Sequence, residues 1–123
     1  MIIVEVAESF NEALESIEEF MLAQDVGSAV QRVETIQVEI IGFIELVKRH
    51  PRIGRLTGPI DEQFVKSRSQ FERIVRKVSV AGLPEAREYV LSNHVILYAH
   101  SNSRVLLLSI RHQKEFGYGP NPE

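Results

Sequence analysis

The sequence contains no cysteine and no tryptophan, and its 123 residues include only seven glycines and five prolines. Without cysteine the chain can form neither a disulfide nor a thiolate metal site. No apolar run approaches the roughly 18–20 residues that a membrane-spanning helix requires, and the N-terminus lacks the basic segment of a secretory signal. We therefore expect one domain over residues 1–123, without a membrane segment and located in the cytoplasm.

Motifs for cofactors and metals are also absent from the sequence. It has neither the glycine-rich phosphate loop nor the G-x-G-x-x-G turn, so we expect no nucleotide cofactor. Two of the four histidines, His94 and His100, lie six residues apart on one predicted strand, a separation of about 20 Å. They are too far apart to share a zinc ion, so we expect no metal site.

Basic residues are scarce in the first part of the chain. Residues 1–47 hold ten acids and one base, whereas residues 48–77 hold nine bases and three acids. A solvated acidic helix beside a solvated basic loop explains this pattern, and so does a basic patch that binds a polyanion or an acidic protein. Within the basic part, Arg49, Arg52 and Arg55 either contact phosphate or brace the acidic helices, and bracing is the slightly preferred interpretation.

The first third of the chain predicts a strand followed by two helices. Residues 2–6 are apolar and β-branched, as in a strand. Ser9 and Glu12 have the spacing of a capping box at the start of the first helix. Asp25 interrupts the apolar stripe and can cap a second, longer helix that ends near Pro51. The short connection between them predicts an antiparallel helix hairpin.

The rest of the chain predicts one more helix and three strands. Residues 61–78 place apolar side chains at helical intervals. Three β-rich segments follow, and the turn sequences at 92–93 and 101–103 separate them. The predicted fold class is therefore α+β: an N-terminal strand, an antiparallel helix hairpin, an extra helix, and a three-stranded antiparallel meander that forms one sheet.

Three segments carry a resemblance to a known family. Pro51-x-x-Gly54-Arg55 follows the helix hairpin, and the later strands read GLPEAREYVL and HVILYAHSNSRVLLLSIRH. In this order, after an acidic hairpin, these segments resemble the RelE/ParE toxin superfamily, of the plasmid-stabilisation type. The resemblance covers residues 1–60 and 82–118, and it makes the segment 61–81 a helical insertion in a single RelE/ParE-like domain.

The resemblance implies the toxin of a type II toxin–antitoxin module, held inactive by a cognate antitoxin protein. RelE-like members arrest growth by cleaving mRNA on the ribosome without a metal ion. ParE-like members inhibit DNA gyrase and are not enzymes. We expect the RelE-like function for this chain; the alternatives are the ParE-like function and an attenuated protein-interaction module.

If the chain is a nuclease, the resemblance implies that its catalytic groups come from the strands and the C-terminal segment. Such cleavage needs a base for the 2′-hydroxyl proton, an acid for the leaving oxygen, and cations that stabilise the phosphorane. His112 suits either proton-transfer role, and Tyr118 could act as an acid or stack on a base. Arg87, Arg111 and Lys114 could hold phosphate, and an equal alternative for Arg87 is an ion pair with Glu85 or Glu88.

The predicted strand register separates some of these residues. It places Arg87 opposite Tyr98, and Tyr98 opposite Leu106. His112 then lies on the same face as Arg87 but six residues beyond Leu106, about 20 Å away, so the two cannot share one phosphate. Alternation along the strand also sends Arg111 and His112 to opposite faces of the sheet.

Overall fold

The computed structural model describes residues 2–57, 68–83 and 85–114, which form three helices and a five-stranded mixed sheet. The strand order in the sheet is β1-β5-β4-β3-β2. The elements are β1 (Ile3–Val6), α1 (Glu8–Gln24), α2 (Val26–Val47), β2 (Arg55–Leu56), α3 (Arg68–Ala81), β3 (Glu85–Val90), β4 (His94–His100) and β5 (Arg104–His112).

The predicted α+β class is confirmed, but a sheet built on a three-stranded antiparallel meander is wrong in two respects. The strands β3, β4 and β5 do pair as antiparallel neighbours. However, β1 joins the sheet in parallel beside β5, and β2 adds a short antiparallel strand beside β3. Two residues are too few for an alternating pattern, so the sequence of β2 is indistinguishable from a loop.

The single residue between α1 and α2 caps the second helix, as predicted. The side chain of Asp25 accepts hydrogen bonds from the backbone N–H of Gly27 at 3.0 Å and from the hydroxyl of Ser28 at 2.8 Å. The Ser28 hydroxyl, followed by the Gly27 N–H, lowers the pKa of Asp25 below its ordinary value. Because both bonds favour the ionised carboxylate, the cap is strongest at neutral pH.

The predicted capping box at the start of α1 is wrong. The helix begins at Glu8, with Ala7 as its N-cap residue. The Ser9 side chain instead donates a buried hydrogen bond of 2.5 Å to the carbonyl oxygen of Leu108 in β5. The Glu12 carboxylate faces α3 and forms a bidentate pair with Arg73, at 2.7 and 2.8 Å. Contacts distant in sequence thus replace the local cap.

The sheet is packed on both faces. The hairpin of α1 and α2 covers the face that carries Ile96, Tyr98 and Leu107, which we call the hairpin face. Ile74 of α3 packs in a second cluster on the opposite face, together with Leu97, and we call that face the α3 face. Each large apolar side chain buried in this way stabilises the fold by about 1.5–3 kcal/mol.

An extra residue interrupts the pairing of β4 with β5. Tyr98 pairs with Leu107, but the preceding residue Leu97 pairs with Ser109, so Leu108 is a β-bulge. The carbonyl oxygen of Leu108 is the one that accepts the Ser9 hydroxyl. The bulge is therefore held in place from α1.

The β4–β5 turn is also one residue shorter than the sequence predicts. Tyr98 lies opposite Arg87 as expected, but its partner in β5 is Leu107 and not Leu106. Residues 102–103 alone span the turn, and a backbone hydrogen bond of 2.9 Å closes it. Small polar residues occur in two-residue and three-residue turns alike, so composition did not distinguish them.

The outer surface of the hairpin combines acids with exposed aliphatic side chains. Val26, Val30, Val38 and Ile41 of α2 are 62–72% exposed. Among the described helices, none combines the length and the apolar character needed to cross a lipid bilayer.

Candidate functional site

The bulge in β5 decides which face each C-terminal side chain occupies. Beyond Leu108, Arg111 pairs with Val95 and lies on the α3 face, while His112 pairs with His94 and lies on the hairpin face. Side chains alternate along a strand, so without the extra residue Arg111 would lie on the hairpin face and His112 on the α3 face. Arg111 and His112 thus lie on opposite faces, as predicted, and the bulge determines which face each occupies.

On the α3 face, one carboxylate lies between two guanidinium groups. Glu88 is only 9% exposed, and its Oε1 accepts a hydrogen bond of 3.1 Å from Arg55 Nη2. Its Oε2 lies 3.5 Å from Arg111 Nη2. The Arg111 side chain is mostly buried, whereas that of Arg55 is 68% exposed. We call Glu88, Arg55 and Arg111 the Glu88 cluster.

Three strands supply this cluster. Arg55 of β2 lies directly opposite Glu88 of β3. Arg111 comes from β5 and reaches Glu88 across β4, where Leu97 is the partner of Glu88. Leu97 and its neighbour on this face, Val95, are both buried. The charged groups therefore lie against an apolar floor.

The sequence did not reveal Glu88 as a site residue, and it assigned Arg55 to another partner. The preferred interpretation, in which the basic loop braces the acidic hairpin, is wrong for two of its arginines. Arg52 pairs with Glu85, and Arg55 pairs with Glu88, both on β3. Only the pairing of β2 with β3 brings these residues together, and β2 has too weak a sequence signal to predict that pairing.

Arg87 lies on the hairpin face within a network that holds the loop after α2. Its Nε donates to His100 Nε2 at 2.9 Å, its Nη1 to the carbonyl oxygen of Gly54 at 2.7 Å, and its Nη2 to Glu85 Oε2 at 3.3 Å. Because His100 Nε2 accepts, its proton is assigned to Nδ1, which donates to the carbonyl of Ser101. Arg87 is therefore committed to structural contacts.

Glu85 is the carboxylate on this second face. Its Oε2 lies 3.3 Å from Arg87 Nη2, 3.8 Å from Arg52 Nε and 3.2 Å from His100 Nε2. The hydrogen bond from Arg87 lowers the pKa of Glu85 most, and the charge of Arg52 acts in the same direction against partial desolvation. Glu85 is thus kept ionised as a structural anion.

The Pro51-x-x-Gly54 turn is attached to the sheet through one phenol. The Tyr98 hydroxyl donates to the Pro51 carbonyl at 2.8 Å and accepts from the Gly54 N–H at 2.9 Å. Burial raises the pKa of Tyr98, so the phenol stays protonated and can donate. A Cβ on Gly54 would lie 2.6 Å from the carbonyl oxygen of Glu88, so this close approach requires glycine.

The remaining predicted site residues do not join the Glu88 cluster. The His112 ring packs edge-on against His94, with 5.2 Å between ring centroids, and its Nδ1 accepts the backbone N–H of Lys114 at 3.2 Å. On β4, His112 pairs with His94 and Arg87 pairs with Tyr98. These two partners are four residues apart, about 13 Å along the strand. The Lys114 side chain is exposed, and Tyr118 lies outside the described residues.

The Glu88 cluster has the groups that a metal-independent phosphoryl transfer uses. A carboxylate can accept a hydroxyl proton, and two guanidinium groups can stabilise an anionic phosphorane. Within the part of the chain that the structure describes, no three histidine or carboxylate side chains come together as metal ligands.

Comparison of the sequence with protein-family models finds no match, and a search of curated proteins finds no significant one. The fold and the geometry of the Glu88 cluster are therefore the features of the chain that point to a function.

Proposed function

We propose that the chain is the toxin of a type II toxin–antitoxin module and acts as a RelE-like, metal-independent endoribonuclease on mRNA at the ribosome. The observation that carries the proposal is Glu88, nearly buried and held between Arg55 and Arg111. The order of strand, helix hairpin, helix and antiparallel strands is compatible with it. In this proposal the protein acts in the cytoplasm, where its target is located.

The proposed reaction assigns one role to each member of the cluster. Glu88 takes the proton of the substrate's 2′-hydroxyl group, and the 2′-oxygen attacks the adjacent phosphorus. Arg55 and Arg111 stabilise the phosphorane charge. The bond to the 5′-oxygen then breaks, leaving a 2′,3′-cyclic phosphate and a 5′-hydroxyl. Tyr118 remains the predicted donor of the proton that the leaving oxygen takes, and Lys114 remains a predicted phosphate contact.

The test is to express the chain alone and to map mRNA 5′ ends in three forms: wild type, Glu88→Gln and Glu85→Gln. Glu85 is the matched control, because it is also a β3 carboxylate between two arginines but on the other face. We expect cuts in phase with codons in the wild type and in Glu85→Gln. Glu88→Gln should lower cleavage by about 10²–10⁴-fold, the usual contribution of a general base.

A second candidate function is non-enzymatic inhibition of DNA gyrase, and the acidic hairpin favours it as a protein-binding surface. Exposed Val26, Val30, Val38 and Ile41 are suited to a protein partner, either the antitoxin or a target enzyme. Inhibited supercoiling with intact mRNA would support this candidate and contradict the nuclease. Intact mRNA with normal supercoiling would contradict both functions and indicate an attenuated protein-interaction module.

A further inference from the structure

A groove lies between the C-terminal half of α2 and the end of β3. It has a volume of about 310 Å³, and the described residues that line it are Glu39, Gly42, Phe43 and Leu46 of α2 and residues 89–92. Phe43 belongs to the apolar cluster of the hairpin face, so the groove lies on that face, opposite the Glu88 cluster. Its volume is at the lower end of the range for small-molecule sites. We call it the α2–β3 groove.

Two structural features keep this groove open. A Cβ on Gly42 would have nothing within 4 Å, so no side chain fills the space beside the helix. The short strand β2 lies beside residues 87–88 of β3 and does not reach Val90, which is 49% exposed. No other described strand pairs with this edge of β3. The groove is therefore accessible from the edge of the sheet.

Apolar side chains form most of the lining. The rings of Phe43 and Tyr89 pack together with 4.9 Å between their centroids. Leu46 and Leu91 are half-buried and complete the apolar surface. A ligand with an apolar body would lose contact with water against these side chains, which favours its binding.

One carboxylate lies at the Ser92 end of the groove. Glu39 Oε1 accepts the Ser92 N–H at 2.9 Å, and its two oxygens accept the Ser92 hydroxyl at 2.5 and 2.8 Å. Within residues 2–57, 68–83 and 85–114, no lysine, arginine or histidine forms an ion pair with Glu39. A carboxylate offers roughly four acceptor positions. Glu39 is therefore held in place by Ser92 and still has acceptor positions for a cation.

The spacing along α2 sets the size and the charge pattern of the ligand. Glu39 and Leu46 are seven residues apart on one helix, about 10 Å along its axis. A ligand with an anionic end would be repelled by Glu39, and one with several charges would place some of them against the apolar lining. A single ammonium group at one end of an apolar body matches both parts of the groove.

We infer that the α2–β3 groove binds a small primary amine of the arylalkylamine class. The ammonium group pairs with Glu39, and the apolar body lies along Tyr89 and Leu46. This binding site is independent of the proposed nuclease, because no residue of the groove belongs to the Glu88 cluster. A ligand here contacts both α2 and β3, so it binds the folded chain and stabilises it.

The test is isothermal titration calorimetry of the full chain with 2-phenylethylamine and with its uncharged counterpart, 2-phenylethanol. The amine should bind with a Kd of about 0.1–1 mM, as expected for roughly nine non-hydrogen atoms. Glu39→Gln should weaken the amine about 10-fold and leave the weaker binding of the alcohol unchanged. Glu45→Gln is the matched control, because Glu45 lies on the same helix, pairs with Lys48 at 3.6 Å and does not line the groove.

A second variant fills the groove without removing a charge. Gly42→Leu places a side chain where the structure has open space, and leucine favours the helix more than glycine does. The variant should therefore fold, as circular dichroism and thermal unfolding would show, and should bind neither probe.

The comparison of the two probes decides the inference. Preference for the amine that is lost in Glu39→Gln and kept in Glu45→Gln would support it. Equal affinities of the wild type for amine and alcohol would overturn it, and so would undiminished binding of the amine by Gly42→Leu. No saturable binding of the amine up to about 10 mM would also overturn it. Tighter binding of an extended peptide with one lysine between apolar residues would overturn it by assigning the groove to a protein segment.

Failure of this inference is distinguishable from failure of the proposed function. Selective binding of the amine by a chain that cleaves no mRNA would contradict the nuclease and support the binding site. Cleavage of mRNA by a chain that binds no amine would do the reverse.

Discussion

Two carboxylates on β3 have similar partners and different surroundings. Glu85 lies between Arg87 and Arg52 on the hairpin face, and Glu88 lies between Arg55 and Arg111 on the α3 face. Each carboxylate has one buried and one exposed arginine: Arg87 and Arg52 for Glu85, and Arg111 and Arg55 for Glu88. The carboxylates themselves differ, since the side chain of Glu88 is 10% exposed and that of Glu85 is 35% exposed.

The difference lies in what the arginines bind besides the carboxylate. Arg87 donates to the carbonyls of Arg52 and Gly54 and to His100, so Glu85 completes a network that fixes a loop. In the other cluster, Arg111 donates to the carbonyls of His112 and Gln113, both at 3.3 Å, while Arg55 pairs with Glu88 and is largely exposed. Each cluster thus includes an arginine that binds backbone: that of the loop after α2 beside Glu85, and that of the end of β5 beside Glu88.

The largest effect on stability is expected at Gly54, where the two clusters meet. In Gly54→Ala the new Cβ would lie 2.6 Å from the carbonyl oxygen of Glu88 and 2.9 Å from the Tyr98 ring. Neither neighbour can move easily, so we expect a loss of about 3 kcal/mol in the free energy of unfolding. Urea unfolding measures this loss. Gly42→Ala on α2 is the control, because nothing lies within 4 Å of its Cβ; an equal loss there would contradict the explanation.

A smaller effect is expected at Tyr98 and should separate architecture from chemistry. Tyr98→Phe removes one hydroxyl that serves both the Pro51 carbonyl and the Gly54 N–H. Leaving these groups unpaired should cost about 2 kcal/mol. Thermal unfolding measures the cost, and cleavage per folded molecule should stay near the wild-type value. Tyr89→Phe, which keeps the ring that packs on Phe43 at 4.9 Å, should be nearly neutral; an equal cost in both variants would count against the role of the Tyr98 hydroxyl.

The smallest effect concerns a third carboxylate, which has a single arginine partner. The hydrogen bond from Arg73 lowers the pKa of Glu12 below its ordinary value of 4.5. Because the folded-state pKa is lowered, the stabilisation is present above about pH 4.5 and is lost as the pH falls through the folded value. Both side chains are 38% exposed, so Glu12→Gln should cost about 0.5 kcal/mol at neutral pH.

The pH dependence provides the check on this pair. Urea midpoints of the wild type and Glu12→Gln should differ at about pH 7 and converge at about pH 3. Glu15→Gln, at an exposed position on the same helix, is the matched control and should not differ from the wild type. A difference for Glu12→Gln that persists at acidic pH would show that the charge of Glu12 is not its cause.

Local patterns in the sequence correctly predicted those helices, caps and strands that are determined by neighbouring residues. Asp25 caps α2 through groups two and three residues away, and the three β-rich segments became β3, β4 and β5. The expected capping box at Ser9 failed because its hydroxyl binds Leu108, 99 residues away. Contacts of that range are decided by packing and leave no local signal.

The same limitation explains why the candidate site was only partly anticipated. Arg111 was expected among the site residues, but its partner Glu88 was not. The face of the sheet on which Arg111 lies depends on the bulge at Leu108, and the position of Arg55 depends on the two-residue strand β2. Arg87 carries a favourable charge for phosphate, yet the structure uses it to hold the carbonyl of Gly54. Residue type alone could not distinguish these uses.

The most direct test of the central claim is single-turnover cleavage of ribosome-bound mRNA by Glu88→Gln and Glu85→Gln, with the chemistry of the new ends determined. We expect 2′,3′-cyclic phosphate and 5′-hydroxyl ends. We also expect a rate about 10²–10⁴-fold lower for Glu88→Gln than for Glu85→Gln. Equal rates in the two variants, or no cleavage by the wild type, would contradict it.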